Sequence, residues 1–296
     1  MAARVQRSDV RPISASRAVL GEGPVWDERL QRLYWVDIER GELHGCDANG
    51  AGETVAALGE RLCCIALRRD APGFIAGLGR SIARLELDPL VVTPLAVFDA
   101  LPECVRCNDG KCDAWGNFWV GTYNMAGDAA TGWLYRYRPG TPLTPAAGPF
   151  ICTNGPAFSP DGGTLYCVDS YGRRIDRYGV AADGSLRDQA VFARFDGAGC
   201  GFPDGLSCDA EGCVWVAEWG GSRVSRLSAA GERLETIEVP AAQPTSCAFG
   251  GAALQRLFIT SAAQGIAASA DPAGLAGAVF AVDLAVPGLP AARCAG

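Results

Sequence analysis

The sequence has little histidine, little methionine and no concentration of positive charge. One histidine, His44, and two methionines occur in 296 residues. A Ser-His-Asp triad or a histidine-rich zinc site would therefore have to recruit His44. The repeat pattern described below puts His44 in the outer part of the first unit, on a strand or turn expected near the surface. Lys and Arg number 26 against 33 Asp and Glu, a net charge of −7. That diffuse acidic excess excludes the clustered basic face that a nucleic acid or an anionic membrane requires. No apolar run approaches the roughly 20 residues of a membrane-spanning helix. Met1 to Leu20 mixes charged and apolar residues without the continuous apolar stretch of a secretion signal, so a soluble cytoplasmic protein is expected. No Gly-x-Gly-x-x-Gly run opens a helix and no phosphate-binding loop occurs, which leaves nucleotide chemistry unsupported.

Cysteine is plentiful, with 13 residues, but an odd number in a long chain without a secretion signal is not a disulfide framework. Most are expected to be free, buried thiols. Cys104, Cys107 and Cys112 have zinc-like spacing and lack a fourth ligand, since His44 lies far away in sequence, so structural zinc is not expected there.

Helical periodicity is nearly absent, while 38 glycines and 18 prolines punctuate short apolar runs, the pattern of many short strands joined by tight turns. One unit recurs: an apolar strand, a turn rich in Asp and Gly, and a second strand carrying aromatics. Phe158 to Val168, Leu206 to Val216 and Lys111 to Val120 are three copies. One aligned position in the second strand gives Trp35, Ile75, Trp119, Tyr166, Trp215 and Phe258, spaced by 40, 44, 47, 49 and 43 residues. A period in the forties built from four short strands predicts a propeller, each blade burying one face against the next. A β-sandwich would not require such even spacing. The expected fold is all-β, a six-bladed β-propeller forming a single domain over residues 1–296.

In a propeller the innermost strand of each blade lines a central channel, so residues at its start collect at one mouth. Counting back 11 to 13 residues from the markers gives Glu22, Asn108, Asn154 and Asp204, with Cys63 and Ser246 in the other two copies. Asn154-Gly155-Pro156 and Pro203-Asp204-Gly205 are also ordinary turn sequences; Pro160-Asp161-Gly162, in mid-repeat, needs to be nothing more than a hairpin turn. Shared register across four blades is what favours a site. Two carboxylates with carboxamide oxygens suit a divalent cation such as Ca²⁺, Mg²⁺, Mn²⁺ or Zn²⁺. Such a cation polarises a carbonyl and stabilises an oxyanion, which are the needs of ester hydrolysis. Arg106 is placed either to reach the same mouth and hold a substrate oxygen or to form a surface ion pair.

These residues resemble the SMP-30/gluconolactonase/regucalcin-like family over nearly the whole chain. The resemblance rests on Leu20-Gly21-Glu22-Gly23-Pro24-Val25-Trp26, Arg106-Cys107-Asn108-Asp109-Gly110-Lys111, Asn154-Gly155-Pro156, Pro203-Asp204-Gly205 and Thr245 to Gly251. It implies a six-bladed propeller holding one divalent metal through Glu22, Asn154 and Asp204, with Asp204 also the general acid/base. Arg106 and Asn108 are then substrate-binding, and the implied activity is metal-dependent hydrolysis of a sugar lactone to the aldonic acid. Animal relatives imply an alternative, a metal-binding regulatory protein with weak or no catalysis; organophosphate or aryl-ester cleavage is a third reading. One departure concerns the loop after Gly121-Thr122, where the substrate-contacting Glu of some relatives would fall near Ala126. Asp128 is the one acidic residue close by.

Overall fold

The computed structural model describes residues 9–296. Their strands, numbered β1 to β24 in chain order, form six four-stranded antiparallel sheets. The sheets are the blades of a six-bladed β-propeller. Five blades are consecutive meanders that begin with β2 (Gly21–Asp27), β6 (Leu62–Leu67), β10 (Val105–Cys112), β14 (Thr153–Phe158) and β18 (Phe202–Cys208). The sixth combines β22 (Pro244–Gly250), β23 (Arg256–Ser261) and β24 (Phe280–Asp283) with β1 (Arg11–Pro12) from the other end of the chain. Arg11 pairs with Ala281 and Pro12 with Phe280, so the first strand closes the ring onto the last blade.

The six repeat markers all lie in the second strand of a blade. Trp35, Ile75, Trp119, Trp215 and Phe258 are fully buried and Tyr166 nearly so. Their large side chains fill the gap between neighbouring blades, where each buried aromatic removes enough apolar surface from water to contribute about 2–3 kcal/mol. In two blades the turn preceding the marker is tied to it. Asp113 Oδ2 accepts the Trp119 indole N–H at 2.8 Å while its Oδ1 accepts the backbone N–H of Trp115 and Asn117. Asp209 repeats this with Trp215 at 2.9 Å and the N–H groups of Glu211 and Cys213. One carboxylate thus holds both the hairpin and the core side chain. The turn at Asp161 is a plain hairpin: its carboxylate accepts from the Ser159 hydroxyl and the Gly163 N–H.

Two expectations are corrected or refined. His44 is not at the surface; it is 2% exposed, lies on β4 (Glu42–Cys46), and stacks on Trp35 with ring centroids 5.2 Å apart. The third strand of this blade is covered by a fourth, β5 (Thr54–Ala57), whose Val55 pairs with His44. The imidazole therefore packs by its apolar face, and its Nε2 lies 3.2 Å from Glu42 Oε2. Cys104, Cys107 and Cys112 do not converge. Cys112 is disulfide-bonded to Cys294, Cys107 is buried and Cys104 exposed. Of the other cysteines nearly all are buried free thiols. The disulfide fastens a C-terminal segment that crosses the face opposite the predicted mouth, where Leu289–Ala292 border an axial cavity of about 250 Å³ with Lys111 in its wall. Among the described residues no helix is long and apolar enough to cross a membrane.

Candidate active site at the mouth of the axial channel

Every innermost strand carries a register slip at the position the repeat singled out. The ladder is interrupted between Glu22 and Val25, Leu62 and Cys64, Cys107 and Gly110, Asn154 and Ala157, Pro203 and Leu206, and Pro244 and Ser246. A bulge leaves a residue outside the ladder and turns its side chain out of the normal alternation. Cys63, Asn108 and Asp204 lie inside these slips, whereas Glu22, Asn154 and Ser246 stay paired and flank them, so six irregularities at one height mark the common register. Glycine permits this twice over: Gly155 follows Asn154 at φ +73°, and a Cβ on Gly205 would sit 2.8 Å from the Ser246 Cα of the next blade.

Glu22, Asn108, Asn154 and Asp204 are all brought to this mouth, each less than a tenth exposed. Asn108 Nδ2 donates to Asn154 Oδ1 at 2.9 Å and to the Thr153 carbonyl at 3.0 Å. Arg106, only 5% exposed, donates to Asn108 Oδ1 at 2.8 Å and to the Cys107 carbonyl at 2.6 Å. It is a member of the site, not a surface ion pair. Asn154 Nδ2 donates to the Ser170 hydroxyl at 2.9 Å, which orients the carboxamide from the second strand of the same blade, β15 (Thr164–Asp169), and its following turn.

Asp109 joins these residues although the register argument did not select it. It adjoins Asn108 inside the bulge, is 3% exposed, and its Oδ1 accepts the neighbouring Gly110 N–H at 2.7 Å. Its signal was available in the sequence, since two successive residues of a bulge can both leave the ladder. Cys152 was also missed; its Sγ lies 3.8 Å from Asn108 Nδ2 and 3.7 Å from Asn154 Nδ2. Burial pushes that thiol far above its ordinary value, so it is a poor nucleophile. Asp128 does not enter: it is exposed and accepts from Asn124 Nδ2 at 3.1 Å, capping its own loop.

Three buried carboxylates share this pocket with two cationic groups. Burial, followed by the Asp109 charge, pushes Glu22 up to about 8 against the pull of the Gly23 N–H, Arg106 and Lys111. Burial raises Asp109 to about 6 despite Lys111. Asp204 is driven well above the carboxylate range by burial and then by Glu22 and Asp109. Its Oδ1 is buried and has no hydrogen-bond partner, as has Asp109 Oδ2. Orphaned carboxylate oxygens in a low-dielectric pocket are costly unless something positive meets them. Among the described residues no three His, Cys, Asp or Glu side chains group as metal ligands. A cation here would be met by two carboxylates, Glu22 and Asp204, and the Asn154 carboxamide, with solvent completing its shell. That donor set fits a hard or borderline divalent ion.

The mouth has two unlike halves. Toward blades one to three lies a cleft of about 630 Å³ lined by charged side chains, among them Glu39, Arg61, Arg80 and Arg106. Toward blades three to five stand aromatics: the Arg106 guanidinium lies 5.1 Å from the Tyr123 ring centroid, Tyr171 OH is 3.4 Å from Tyr123 OH, and Tyr171 meets Phe202 edge-on at 5.9 Å.

Known proteins resemble this chain over most of its length. The sequence model described as the SMP-30/Gluconolactonase/LRE-like region matches residues 20–263. The chain is 38% identical to a 6-deoxy-6-sulfogluconolactonase of Pseudomonas putida over 92% of its own length and 93% of that protein. It is 36% identical to an L-arabinolactonase of Azospirillum brasilense over 96% and 95%. A solved structure described as a calcium-binding protein, regucalcin, from Agrobacterium tumefaciens superimposes with a TM-score of 0.89 at 29% identity, covering 96% of each chain.

Proposed function

The chain belongs to the SMP-30/gluconolactonase/LRE-like family, and on that premise we propose that it hydrolyses a sugar lactone to the aldonic acid at the axial mouth. The observation that carries this reading is the meeting of Glu22, Asn154 and Asp204 beside Arg106 and Asn108, with Asp204 Oδ1 buried and unpartnered. Relatives named for lactone hydrolysis supply the reaction class.

Glu22, Asn154 and Asp204 are the residues that would hold one divalent cation, whose charge stabilises the oxyanion formed when a lactone carbonyl is attacked. Arg106 and Asn108 are already fixed to one another; the guanidinium offers donors to the hydroxyls of the sugar, and Asn108, whose two Nδ2 hydrogens are taken by Thr153 and Asn154, offers its Oδ1 as an acceptor. Asp204 accepts a proton from the attacking water and returns it to the ring oxygen as the C–O bond breaks. Burial raises the proton affinity of its carboxylate, and a bound cation would oppose that rise.

The test is acid release from a panel of five- and six-carbon aldonolactones, followed with a pH indicator with and without chelator. The proposal expects turnover that EDTA abolishes and a divalent ion restores, and Asp204→Ala without measurable turnover. Near-normal turnover by Asp204→Ala overturns the role of that residue. A silent panel, with divalent metal still bound, favours a binding protein with little or no catalysis.

A further inference from the structure

The loops around the mouth come from all six blades, yet among the described residues the aromatic contacts there, between Tyr123, Tyr171 and Phe202, lie in blades three to five. Tyr123 ends the second strand of blade three, β11 (Phe118–Asn124), where its ring lies against Arg106. Tyr171 sits in the turn after β15, one residue beyond Ser170, whose hydroxyl holds Asn154. The two phenols meet at 3.4 Å across the boundary between blades, and Phe202, two residues before Asp204, supports the Tyr171 ring from the side. Tyr171 nevertheless remains 46% exposed. A large ring held by two aromatic neighbours at the rim of a polar, carboxylate-bearing pocket is a surface left open for something to stack on.

Opposite this wall the rim is charged, and Arg106 belongs to both halves. A ring-shaped polyol has the same division, with C–H bonds on its flat faces and hydroxyls at its edges. Loop 124–127 carries no acidic side chain, and Asp128 is turned onto Asn124, so this loop offers a sugar hydroxyl no free carboxylate.

We propose that Tyr123 and Tyr171 form an aromatic wall that receives the C–H face of the sugar ring and selects cyclic polyol lactones over unsubstituted lactones. The inference rests on the lactonase reading and names the part of the substrate that the remaining residues leave unrecognised. Tyr171 contributes mainly by stacking, and Tyr123 by stacking and by holding Arg106 in place. Neither moves a proton to or from the scissile bond.

Binding is measured by calorimetry with a panel of five- and six-carbon aldonolactams, in which the ring ester is replaced by an amide that resists hydrolysis. At least one lactam is expected to bind the metal-loaded wild-type protein, and Tyr171→Ala is expected to weaken it about tenfold or more, the order of one aromatic contact. Tyr171→Phe keeps the ring and is expected to bind within about threefold of wild type. In turnover, Tyr171→Ala raises KM for sugar lactones with kcat little changed and leaves KM for δ-valerolactone, which lacks hydroxyls, unaltered. Lactam binding unchanged in Tyr171→Ala overturns the inference, as does a panel that fails to bind the wild-type protein. Lactam binding that responds to Tyr171 while no lactone is turned over would leave the wall standing and remove the hydrolytic reading.

Discussion

Asn108 and Asn154 are joined side chain to side chain across the boundary between blades three and four, with Nδ2 of the first donating to Oδ1 of the second at 2.9 Å. The same Nδ2 donates to the Thr153 carbonyl, and the Asn108 oxygen accepts from Arg106. One carboxamide thus sets the positions of Arg106 and Asn154, the residues proposed to bind substrate and metal. Asn108→Leu removes the donor and the acceptor together and leaves two buried carbonyl oxygens and a guanidinium short of partners. The expected loss is about 1–3 kcal/mol of stability and about a hundredfold in kcat/KM through misplacement of the groups it orients. Urea denaturation and lactone kinetics on the same preparation measure both.

Asp204→Asn should be inactive and, in chelator, more stable than wild type. Burial, and then Glu22 and Asp109, make Asp204 costly to ionise, so a neutral side chain there removes that cost wherever the carboxyl is ionised in the unfolded chain. The sign with pH follows from the raised carboxyl groups. Protonated forms favoured by the fold contribute stability that is present below the ordinary carboxyl range near 4 and is lost as pH rises through the folded values, about 6 for Asp109 and about 8 for Glu22. Metal-free wild type should therefore weaken between pH 5 and about 8, and Asp204→Asn should weaken less. Thermal melts in EDTA across that range check it; parallel pH curves for the two proteins would contradict the crowding.

Much of this was legible in the sequence because a propeller repeats its constraints. Trp35, Trp119 and Trp215 recur because each blade needs one bulky side chain against its neighbour, and that spacing placed Glu22, Asn108, Asn154 and Asp204 in a common register. Closure of the ring by Arg11–Pro12 was not legible, since two residues carry no strand pattern. His44 escaped because its burial depends on a fourth strand and on Trp35, not on its own polarity. Asp109 was passed over by a reading based on strand alternation, although two successive bulge residues can both leave the ladder, and Tyr171 lies in a turn that no periodicity marks.

Asp209 should be the most costly single position in blade five. It is fully buried and accepts from the Trp215 indole at 2.9 Å, from Arg226 Nε at 2.8 Å, and from two backbone N–H groups of its hairpin. Asp209→Ala leaves the buried Trp215 indole N–H and two hairpin N–H groups without their acceptor and takes from the partly buried Arg226 one of its two carboxylate partners, Glu211 remaining at 2.6 Å, with an expected loss of about 2–4 kcal/mol. Asp209→Asn keeps the shape and some of the bonds and should cost less. Chemical denaturation of both variants gives the comparison, and equal losses would show that the charge contributes nothing.

The Cys112–Cys294 bond links residues separated by 182 positions and therefore constrains the unfolded chain over most of its length. On loop-closure entropy alone that is worth at most about 5 kcal/mol. Backbone bonds already hold the same segment, from Cys294 N–H to the Leu67 carbonyl and from Arg69 N–H to the Cys294 carbonyl, both at 2.8 Å. Loss of the disulfide should therefore lower global stability without detaching the segment from the folded ring. Cys112 ends β10, whereas Arg106 and Asn108 lie at its other end, so catalysis should survive reduction at 25 °C. The expected result is a wild-type urea midpoint that falls when a phosphine reductant is added, a Cys294→Ser midpoint that starts low and does not respond, and equal kcat/KM for all three. A wild-type midpoint indifferent to reductant would mean that the cross-link does not contribute; a fall in kcat/KM would mean that the strand transmits its loss to the site.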